Sequence, residues 1–391
     1  MARRNEQSLQ SDSIMKNPFD ITILCKVVDN FGDIGVVYRL AKSILNLSKN
    51  SQFAKTKIRL IVDDLTAFNK INDKIDDKKS FQCVNGMEIY DWNDFDFCYN
   101  EFTKNPLVVI LECFQCGRPD WLEKILFDDK VRYIVNIIMI DYLTAEDYAE
   151  TFHRLQSLTR SARVQKVNFM PGFTEKTGGL ILDNMENLLQ KKVEKKQILF
   201  FSYDRDWSFL TSALEKFYNE NGFEKLFVAQ GKGKESFCKA YKDEKCNFFV
   251  EELPFINQEE WDALLVDCSI LFIRGEESLS RAALSGIPFV WHAYPQSDEY
   301  QLVKVNALLE KLHPFFSESD FEIIKKVWID VNSTDSELDK VQTQQNVLEF
   351  LKNIENLKDG FEKFGQNLRK NGDLAFNLMT FIKQIVIMED N

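Results

Sequence analysis

Short apolar runs alternate with amphipathic segments along the chain from Phe19 onward. Segments with apolar residues at helical spacing lie between several of these runs, most clearly at 36–49 and 119–127. The runs themselves are rich in Ile and Val, and in the first half of the chain they predict strands at 21–28, 57–64, 87–92, 106–113 and 131–140. Near-continuous apolar strands separated by helices predict a parallel sheet with helices on both faces.

The alternation pauses at 171–196, where glycines and a proline are followed by a charged helix. It then resumes, and strands are predicted at 197–203, 225–231, 247–255 and 268–275, with helices at 207–220, 234–243, 259–267 and 278–286. Long helices, at about 298–312 and between 336 and 388, close the chain. We therefore predict two α/β domains.

The predicted boundaries follow from this pattern. We expect an N-terminal Rossmann-like domain at 18–182 and a C-terminal Rossmann-like domain at 183–391 that includes the closing helices. Residues 1–17 lack an apolar core and are expected to form a disordered leader. A length of 391 residues also favours two cores of roughly 150–200 residues each.

Composition narrows the class of function. The formal charge is −12 and the sequence shows no basic stripe, which argues against nucleic acid as a direct ligand. No segment reaches the roughly 18–20 apolar residues that span a bilayer, and the first 17 residues do not resemble a secretory signal. Most of the eight cysteines lie in strand-like apolar runs. These features fit a cytoplasmic protein without a membrane partner.

Cysteine and histidine spacing predicts no metal site. Cys113 and Cys116 have CxxC spacing, but no second pair or neighbouring histidine completes a zinc site. A redox CxxC opens a helix, whereas Pro119 indicates that the next helix starts later. The histidines are too scattered in the sequence for a metal site, at His153, His292 and His313.

The segment CKVVDNFGDIG, residues 25–35, places two carboxylates in one strand-to-helix turn. Asp29 and Asp33 repel each other there, so their charge must be offset by a partner that the turn alone does not identify. The alternative interpretation is that Asp33 only caps a helix that begins near Ile34, as aspartate commonly does.

A second polar turn, RGEES at 274–278, lies where a predicted strand ends and a helix begins. Helix amides suit a diphosphate at such a position, and Arg274 and Ser278 can add hydrogen bonds. Glu276 would repel phosphate and fits a sugar or ribose hydroxyl better. Alternatively, Arg274 and Glu277 form a surface ion pair of little energy. Neither polar turn is GxGxxG or Walker A, which disfavours dinucleotide oxidoreductases and nucleoside triphosphatases.

Several blocks carry a family resemblance. They are CKVVDNFGDIG, GFTEKTGGL (172–180), residues 253–284 and GIPFVWHAYPQ (286–296), with weaker matches at 111–116, 141–146 and 201–203. In this order they resemble the protein-arginine rhamnosyltransferases that modify bacterial translation elongation factor P. The resemblance implies a GT-B fold, with two facing Rossmann-like domains, parallel sheets and a central cleft. It also implies inverting transfer of L-rhamnose from dTDP-β-L-rhamnose to an arginine of elongation factor P, without a metal or other cofactor.

The resemblance assigns roles to individual residues. Asp33 is the expected general base, and Asp29 is expected to support and orient the acceptor. A carboxylate pair would offset the charge of the acceptor guanidinium, whose pKa exceeds 12, and take its proton. The residues expected to bind the donor are Phe201, Tyr203, Gln258, Trp261, Arg274, Gly275, Glu276, Glu277 and Ser278. Relatives usually have Phe at the position of Trp261 and Asp at that of Glu277.

Other interpretations remain open at this stage. The aromatic residues in the donor set could be ordinary core residues, and His292 fits a buried histidine better than a phosphate contact. Glu112 or Asp141 could extend an acidic acceptor surface. A GT-B enzyme with another donor or acceptor is one rival. A non-enzymatic binding protein on the same scaffold is a second, which the presence of Asp33, Arg274 and Ser278 disfavours.

Overall fold

The computed structural model of this chain describes residues 20–28, 31–49, 53, 56–128, 133–193, 195–336 and 338–389. They divide into two compact units. Unit 1 holds the described residues up to Tyr142, together with 151–171 and those from Asp373 onward. Unit 2 holds 143–150 and 172–372. The expected leader at 1–17, and Asp29, lie outside the described residues.

Unit 1 contains an eight-stranded sheet in the order β3-β4-β2-β1-β5-β6-β8-β7. Its strands are β1 Asp20–Cys25, β2 Lys57–Val62, β3 Phe81–Val84, β4 Met87–Asp91, β5 Val109–Cys113, β6 Val135–Ile140, β7 Gln156–Ser157 and β8 Val164–Phe169. All neighbouring strands are parallel except the pairs at the two edges, β3 with β4 and β7 with β8.

Unit 2 contains a five-stranded parallel sheet in the order β11-β10-β9-β12-β13. Its strands are β9 Gln197–Phe200, β10 Lys225–Val228, β11 Val250–Glu252, β12 Ile270–Arg274 and β13 Phe289–His292. Both sheets therefore have the strand order of a doubly wound Rossmann-like fold.

The helices follow the strands in the alternation that the sequence predicts. They are α1 Gly32–Ser48, α2 Leu65–Ile71, α3 Phe95–Lys104, α4 Asp120–Leu126, α5 Tyr148–Phe152, α6 Met185–Lys191, α7 Ser208–Asn221, α8 Lys234–Asp243, α9 Gln258–Asp267, α10 Glu276–Ser285, α11 Tyr300–Leu312, α12 Glu318–Asn332, α13 Lys340–Lys352, α14 Ile354–Lys370 and α15 Leu374–Glu389. Within the described ranges, none is long and apolar enough to cross a membrane.

The strand order reverses once in each sheet, and each switch point positions part of the candidate residues. In unit 1 the reversal lies between β1 and β5, which run side by side and end at Cys25 and Cys113. In unit 2 it lies between β9 and β12, which end at Phe200 and Arg274. Open α/β sheets bind ligands outside the carboxyl ends of the strands at such points.

Apolar burial explains why these segments adopt their structures. Every residue from Ile21 to Cys25 is fully buried, as expected for a central strand with helices on both faces. In α1 the buried face repeats at helical spacing through Ile34, Val37, Ala41 and Ile44. The predicted strands are confirmed in both units. Strands β3, β7 and β8 were not predicted, because they lie at or next to a sheet edge. Strands β3 and β8 mix polar with apolar residues, and β7 consists of two exposed polar residues.

The observed boundaries of unit 2 differ from the expected ones at both of its ends. The last helix, α15, belongs to unit 1 and contacts α1, although the sequence placed it in the C-terminal domain. It buries Leu378 and Met379, and the ring of Phe381 lies 5.6 Å from that of Phe169. Residues 143–150 group with unit 2, and the chain returns to unit 2 at Gly172.

Candidate active site

Asp33 lies at the switch point of unit 1, in the first turn of α1. Its side chain is buried, and Oδ2 accepts a hydrogen bond of 2.8 Å from the backbone N–H of Val28. The N-cap residue of α1 is Phe31, which makes no side-chain cap. The capping interpretation is therefore wrong: helix α1 starts at Gly32, before Asp33. A carboxylate in the first turn is also stabilised by the helix dipole.

Thiols line the sheet beside Asp33. Burial raises the pKa of Cys25 and of Cys113 well above the ordinary thiol value, and the charge of Asp33 raises both further. Burial also raises the pKa of Cys116 to about 12. Neutral thiols are poor nucleophiles and poor metal ligands. Among the described residues, no group of three or more His, Cys, Asp or Glu side chains could hold a metal ion.

Asp63 is a neighbour that the sequence interpretation missed. It follows β2, and its Oδ1 accepts a hydrogen bond of 2.7 Å from the backbone N–H of Val27. Burial raises the pKa of its carboxyl above the ordinary value. Two successive amides after β1, at Val27 and Val28, are thus bound by the carboxylates of Asp63 and Asp33. The sequence did offer a signal for Asp63, because two aspartates follow directly after a buried strand.

The two other acidic residues of interest have different surroundings. Glu112 is buried in β5, where Arg118 binds it at 2.7 Å and Lys166 lies 3.7 Å away, so its charge is offset locally. Asp141 follows β6 and accepts hydrogen bonds from Tyr142 N–H at 2.8 Å and from the amide of Gln115 at 3.0 Å. Of the two, Asp141 is the one held by neutral donors at the carboxyl edge of the sheet.

Arg274 lies at the switch point of unit 2. Its Cζ is 4.5 Å from the ring centre of Phe201 and 4.6 Å from that of Tyr203, so the guanidinium lies within cation–π distance of two aromatic rings from the loop after β9. Its Nε is buried and has no hydrogen-bond partner among the described residues. A guanidinium that is held in place and still has an N–H available to donate is suited to bind an anionic ligand.

The turn after Arg274 exposes a helix N-terminus. Gly275 has a φ of 72° and a ψ of 168°, a conformation essentially restricted to glycine, and as the N-cap residue of α10 it supplies no side-chain cap. A Cβ at this glycine would meet nothing within 4 Å, so the backbone angle and not space requires glycine. The first amides of α10 and the buried Ser278 therefore lie at an open turn of the kind that binds anions.

The remaining residues that are expected to bind the donor cluster around this turn. The ring of Trp261 meets that of Phe201 edge to face, with centres 5.1 Å apart. Gln258 donates a hydrogen bond of 2.8 Å to Glu277, which joins the start of α9 to the start of α10. The carboxylate of Glu276 lies 3.9 Å from Lys304. Unit 2 thus brings together all nine residues expected to bind the donor.

Two further features of this site were missed by the sequence interpretation. The first is Gly231-Lys232-Gly233 after β10. A Cβ on Gly231 would lie 2.9 Å from the ring of Phe201, and a Cβ on Gly233 would lie 2.6 Å from the carbonyl oxygen of Tyr203. The two glycines therefore allow this loop to lie against the aromatic residues, and it carries Lys232 to 5.6 Å from the ring of Tyr294. A GKG sequence after a strand was the available signal.

The second missed feature is a buried ion pair. Arg281 of α10 binds Asp262 of α9 at 3.0 Å and 3.2 Å, and it also donates to the carbonyl oxygen of Ile181 at 2.9 Å. Both side chains are almost completely buried. Because Asp262 follows Trp261 and Arg281 follows Ser278 by one turn, this pair fixes α9 relative to α10.

His292 is a buried histidine, as the sequence favoured. Its Nδ1 lies 2.8 Å from the hydroxyl of Ser202 and accepts from Tyr203 N–H at 3.4 Å, so it supports the loop that carries Tyr203. Burial, with smaller effects from Arg205 and Arg274, lowers the pKa of His292 to about 3. The ring is therefore neutral near pH 7.

This lowered pKa predicts a pH dependence of stability. Between the ordinary pKa of about 6.5 and the folded value of about 3, the unfolded chain binds a proton at His292 that the folded chain does not. The free energy of unfolding should therefore fall with decreasing pH, by about 1.4 kcal/mol per pH unit from this residue. Denaturant titrations between pH 7 and 4 should show a shallower slope for His292→Gln. Equal slopes for wild type and His292→Gln would contradict the prediction.

Curated relatives are similar to this chain over most of its length. A protein-arginine rhamnosyltransferase from Shewanella oneidensis is 28% identical, and the match covers 79% of this chain and 89% of the relative. Proteins of the same name from Pseudomonas aeruginosa and Neisseria meningitidis serogroup B are each 29% identical. These two matches cover 74% and 81% of this chain, and 80% and 84% of the respective relatives.

Solved structures share the architecture. One, described as the structural basis for EarP-mediated arginine glycosylation of translation elongation factor EF-P, matches with a TM-score of 0.53 at 19% identity over 93% of this chain and 99% of the other. A UDP-GlcNAc 2-epimerase from Neisseria meningitidis bound to UDP-GlcNAc matches with a TM-score of 0.52 at 10% identity, over 94% of this chain and 100% of the other. With the two Rossmann-like units, these similarities confirm the GT-B fold.

The family itself follows from a match across nearly the whole described chain. The family model described as Elongation-Factor P (EF-P) rhamnosyltransferase EarP aligns with residues 21–383, which include both switch points. This chain belongs to the EarP family of elongation factor P rhamnosyltransferases.

Proposed function

We propose that this protein is an inverting glycosyltransferase that moves L-rhamnose from dTDP-β-L-rhamnose to an arginine side chain of translation elongation factor P. The names of its family and curated relatives specify rhamnose, arginine and elongation factor P. The observation that carries the proposal is the buried carboxylate of Asp33 at the switch point of unit 1, in a chain that matches this family over residues 21–383.

Asp33 suits the acceptor chemistry. An arginine side chain is a poor nucleophile because its pKa exceeds 12 and it stays protonated. In the proposed reaction a guanidinium nitrogen bonds to C1 of rhamnose, the bond from C1 to the diphosphate oxygen breaks, and TDP leaves. Asp33 accepts the proton that the nitrogen releases, and Asp29 helps to orient the guanidinium. Attack opposite the leaving group inverts C1.

The residues of unit 2 suit the donor. Arg274, Ser278 and the first amides of α10 would bind the diphosphate and stabilise its charge as it departs. Phe201, Tyr203 and Trp261 would line the slot for thymine, with Gln258 at its polar edge. Glu276 would accept hydrogen bonds from sugar or ribose hydroxyls, next to Gly275. Glu277, which is bound by Gln258, would keep that amide oriented.

We also propose that the reaction takes place in the cytoplasm and uses no metal or other cofactor. All eight cysteines are free thiols, which suits a reducing compartment. The proposed acceptor is a translation factor, and an acidic chain of net charge −12 is poorly suited to bind nucleic acid directly. A helix N-terminus and Arg274 would stabilise the phosphate charge that a cation stabilises in metal-dependent transferases.

Intact-mass measurement tests the proposed reaction. Elongation factor P incubated with the enzyme and dTDP-β-L-rhamnose should gain roughly 146 Da, the mass of one deoxyhexose joined by a single glycosidic bond. Peptide fragmentation should place this mass on one arginine. The same gain should appear in EDTA.

Three controls separate the parts of the proposal. An elongation factor P variant with lysine at the modified position should gain no mass. Efficient transfer from another nucleotide sugar, with none from dTDP-β-L-rhamnose, would contradict the donor assignment. Activity that disappears in EDTA and returns with Mg²⁺ or Mn²⁺ would show that a metal is required.

A further inference from the structure

Two successive residues after β5 have left-handed backbone angles. Phe114 has a φ of 56° and Gln115 a φ of 52°. Left-handed angles are rare outside glycine and are least favourable for bulky side chains such as phenylalanine. Two successive residues with such angles, at the edge of a sheet where this fold binds ligands, indicate a functional role for their side chains.

Contacts from two strands hold this turn in place. The N–H of Phe114 donates to the carbonyl oxygen of Ile140 in β6 at 2.7 Å, and the N–H of Cys116 closes the turn on the carbonyl oxygen of Cys113 at 3.1 Å. The amide of Gln115 donates to Asp141 at 3.0 Å. The turn therefore joins the ends of β5 and β6.

The turn presents an aromatic stack. The rings of Phe114 and Tyr142 lie nearly parallel, at 22°, with their centres 4.7 Å apart. Both side chains are only partly buried, so core packing does not account for a phenylalanine at this strained position. The carboxylate of Asp141, held by Gln115, adds negative charge at the same edge.

The stack and Asp33 belong to one switch point. Strand β5 runs beside β1, and the thiol of Cys116 donates to the carbonyl oxygen of Leu24 in β1 at 3.7 Å. The charge of Asp33 also contributes to the raised pKa of Cys113, the residue directly before Phe114. Asp33, Phe114 and Tyr142 therefore follow neighbouring strands at the same carboxyl edge of one sheet.

We propose that the Phe114–Tyr142 stack binds the guanidinium of the acceptor arginine and fixes its plane while Asp33 takes its proton, an inference that rests on the proposed function. A guanidinium is flat, delocalised and weakly hydrated, so it stacks on aromatic faces, with Asp141 reinforcing the charge attraction. A lysine ammonium is compact and strongly hydrated and gains less from such a surface. The stack thus selects arginine over lysine.

Steady-state kinetics of Phe114→Leu tests this inference. Leucine keeps an apolar side chain of similar size and removes the aromatic face. We expect the KM for elongation factor P to rise about 5- to 30-fold, the range of a cation–π contact at a partly desolvated site. The KM for dTDP-β-L-rhamnose and the melting temperature should stay near their wild-type values. Phe114→Tyr, which keeps the aromatic face, should behave like the wild type.

A matched control and a second variant complete the test. Phe95 also stacks on a tyrosine in unit 1, Tyr99, with centres 5.8 Å apart, and Phe95→Leu should change neither KM. If Phe114→Leu does not fold, Tyr142→Leu should raise the KM for elongation factor P in the same way.

The outcomes separate this inference from the proposed function. A wild type that transfers rhamnose, with both stack variants at wild-type KM for elongation factor P, overturns this inference alone. An equal rise in both KM values also overturns it, because it indicates general distortion. A wild type that transfers no rhamnose overturns the proposed function and this inference with it.

Discussion

Replacing Asp33 with asparagine should lower kcat by roughly 10²–10⁴-fold while the protein remains stably folded. Asparagine keeps a side-chain oxygen that can accept the hydrogen bond from Val28 N–H, now 2.8 Å from Oδ2. What it removes is the charge that offsets a guanidinium and the group that accepts its proton. Turnover with elongation factor P, melting temperature and TDP affinity should be measured on the same preparation, and only turnover should change substantially.

Two controls distinguish this chemical role from a structural one. Asp33→Ala also removes the acceptor for Val28 N–H, so it should cost about 1–3 kcal/mol of stability in addition to activity. Asp63 binds the neighbouring amide of Val27 in the same way, so Asp63→Asn tests the geometry of the turn without removing the proposed base. It should retain most of the activity. A fully active Asp33→Asn enzyme would mean that this carboxylate does not take part in the chemistry.

Replacing Arg274 with alanine should weaken TDP binding by about 1.5–3 kcal/mol, the range of a hydrogen bond to a charged group. The loss removes both the charge and the planar group held against Phe201 and Tyr203. Titration calorimetry with TDP measures the effect without any transfer step. Arg274→Lys should recover only part of the affinity, because lysine restores the charge without the flat, stacked donor group.

The Asp33→Asn variant provides the reference for this measurement of TDP affinity. Asp33→Asn should bind TDP with wild-type affinity, because the residues proposed to bind the donor all lie in unit 2. A TDP affinity for Arg274→Ala equal to that of the wild type would exclude Arg274 from the phosphate site.

Long apolar runs made the central strands predictable. Residues 21–25 and 270–273 are uninterrupted by charge and fully or almost fully buried, so the pattern alone indicated a covered parallel sheet. Strand β8 was missed because Gln165, Lys166 and Asn168 alternate with its buried residues. Such a strand is stabilised mainly by its pairing with neighbouring strands, and its own residues indicate that pairing only weakly.

The sequence predicted which segments contribute to the candidate site, but not how their side chains lie relative to one another. The turn at 274–278 could be located from its own residues, whereas the position of Arg274 against Phe201 depends on β12 lying next to β9. Strand order is a tertiary property that periodicity does not encode. The left-handed turn at Phe114 and Gln115 had no signal at all, because neither residue type favours those angles.

The return of α15 to unit 1 affects how the protein is made. Unit 1 includes strands from the first half of the chain, yet its last helix is translated after all of unit 2. Until residues 374–382 leave the ribosome, the surface of α1 that contacts α15 stays uncovered, and Phe169 lacks the ring of Phe381. Folding on the ribosome can therefore complete unit 2 before unit 1, the reverse of the usual N-terminal-first order. The unit that carries the proposed catalytic base is completed only after all of unit 2 has been translated.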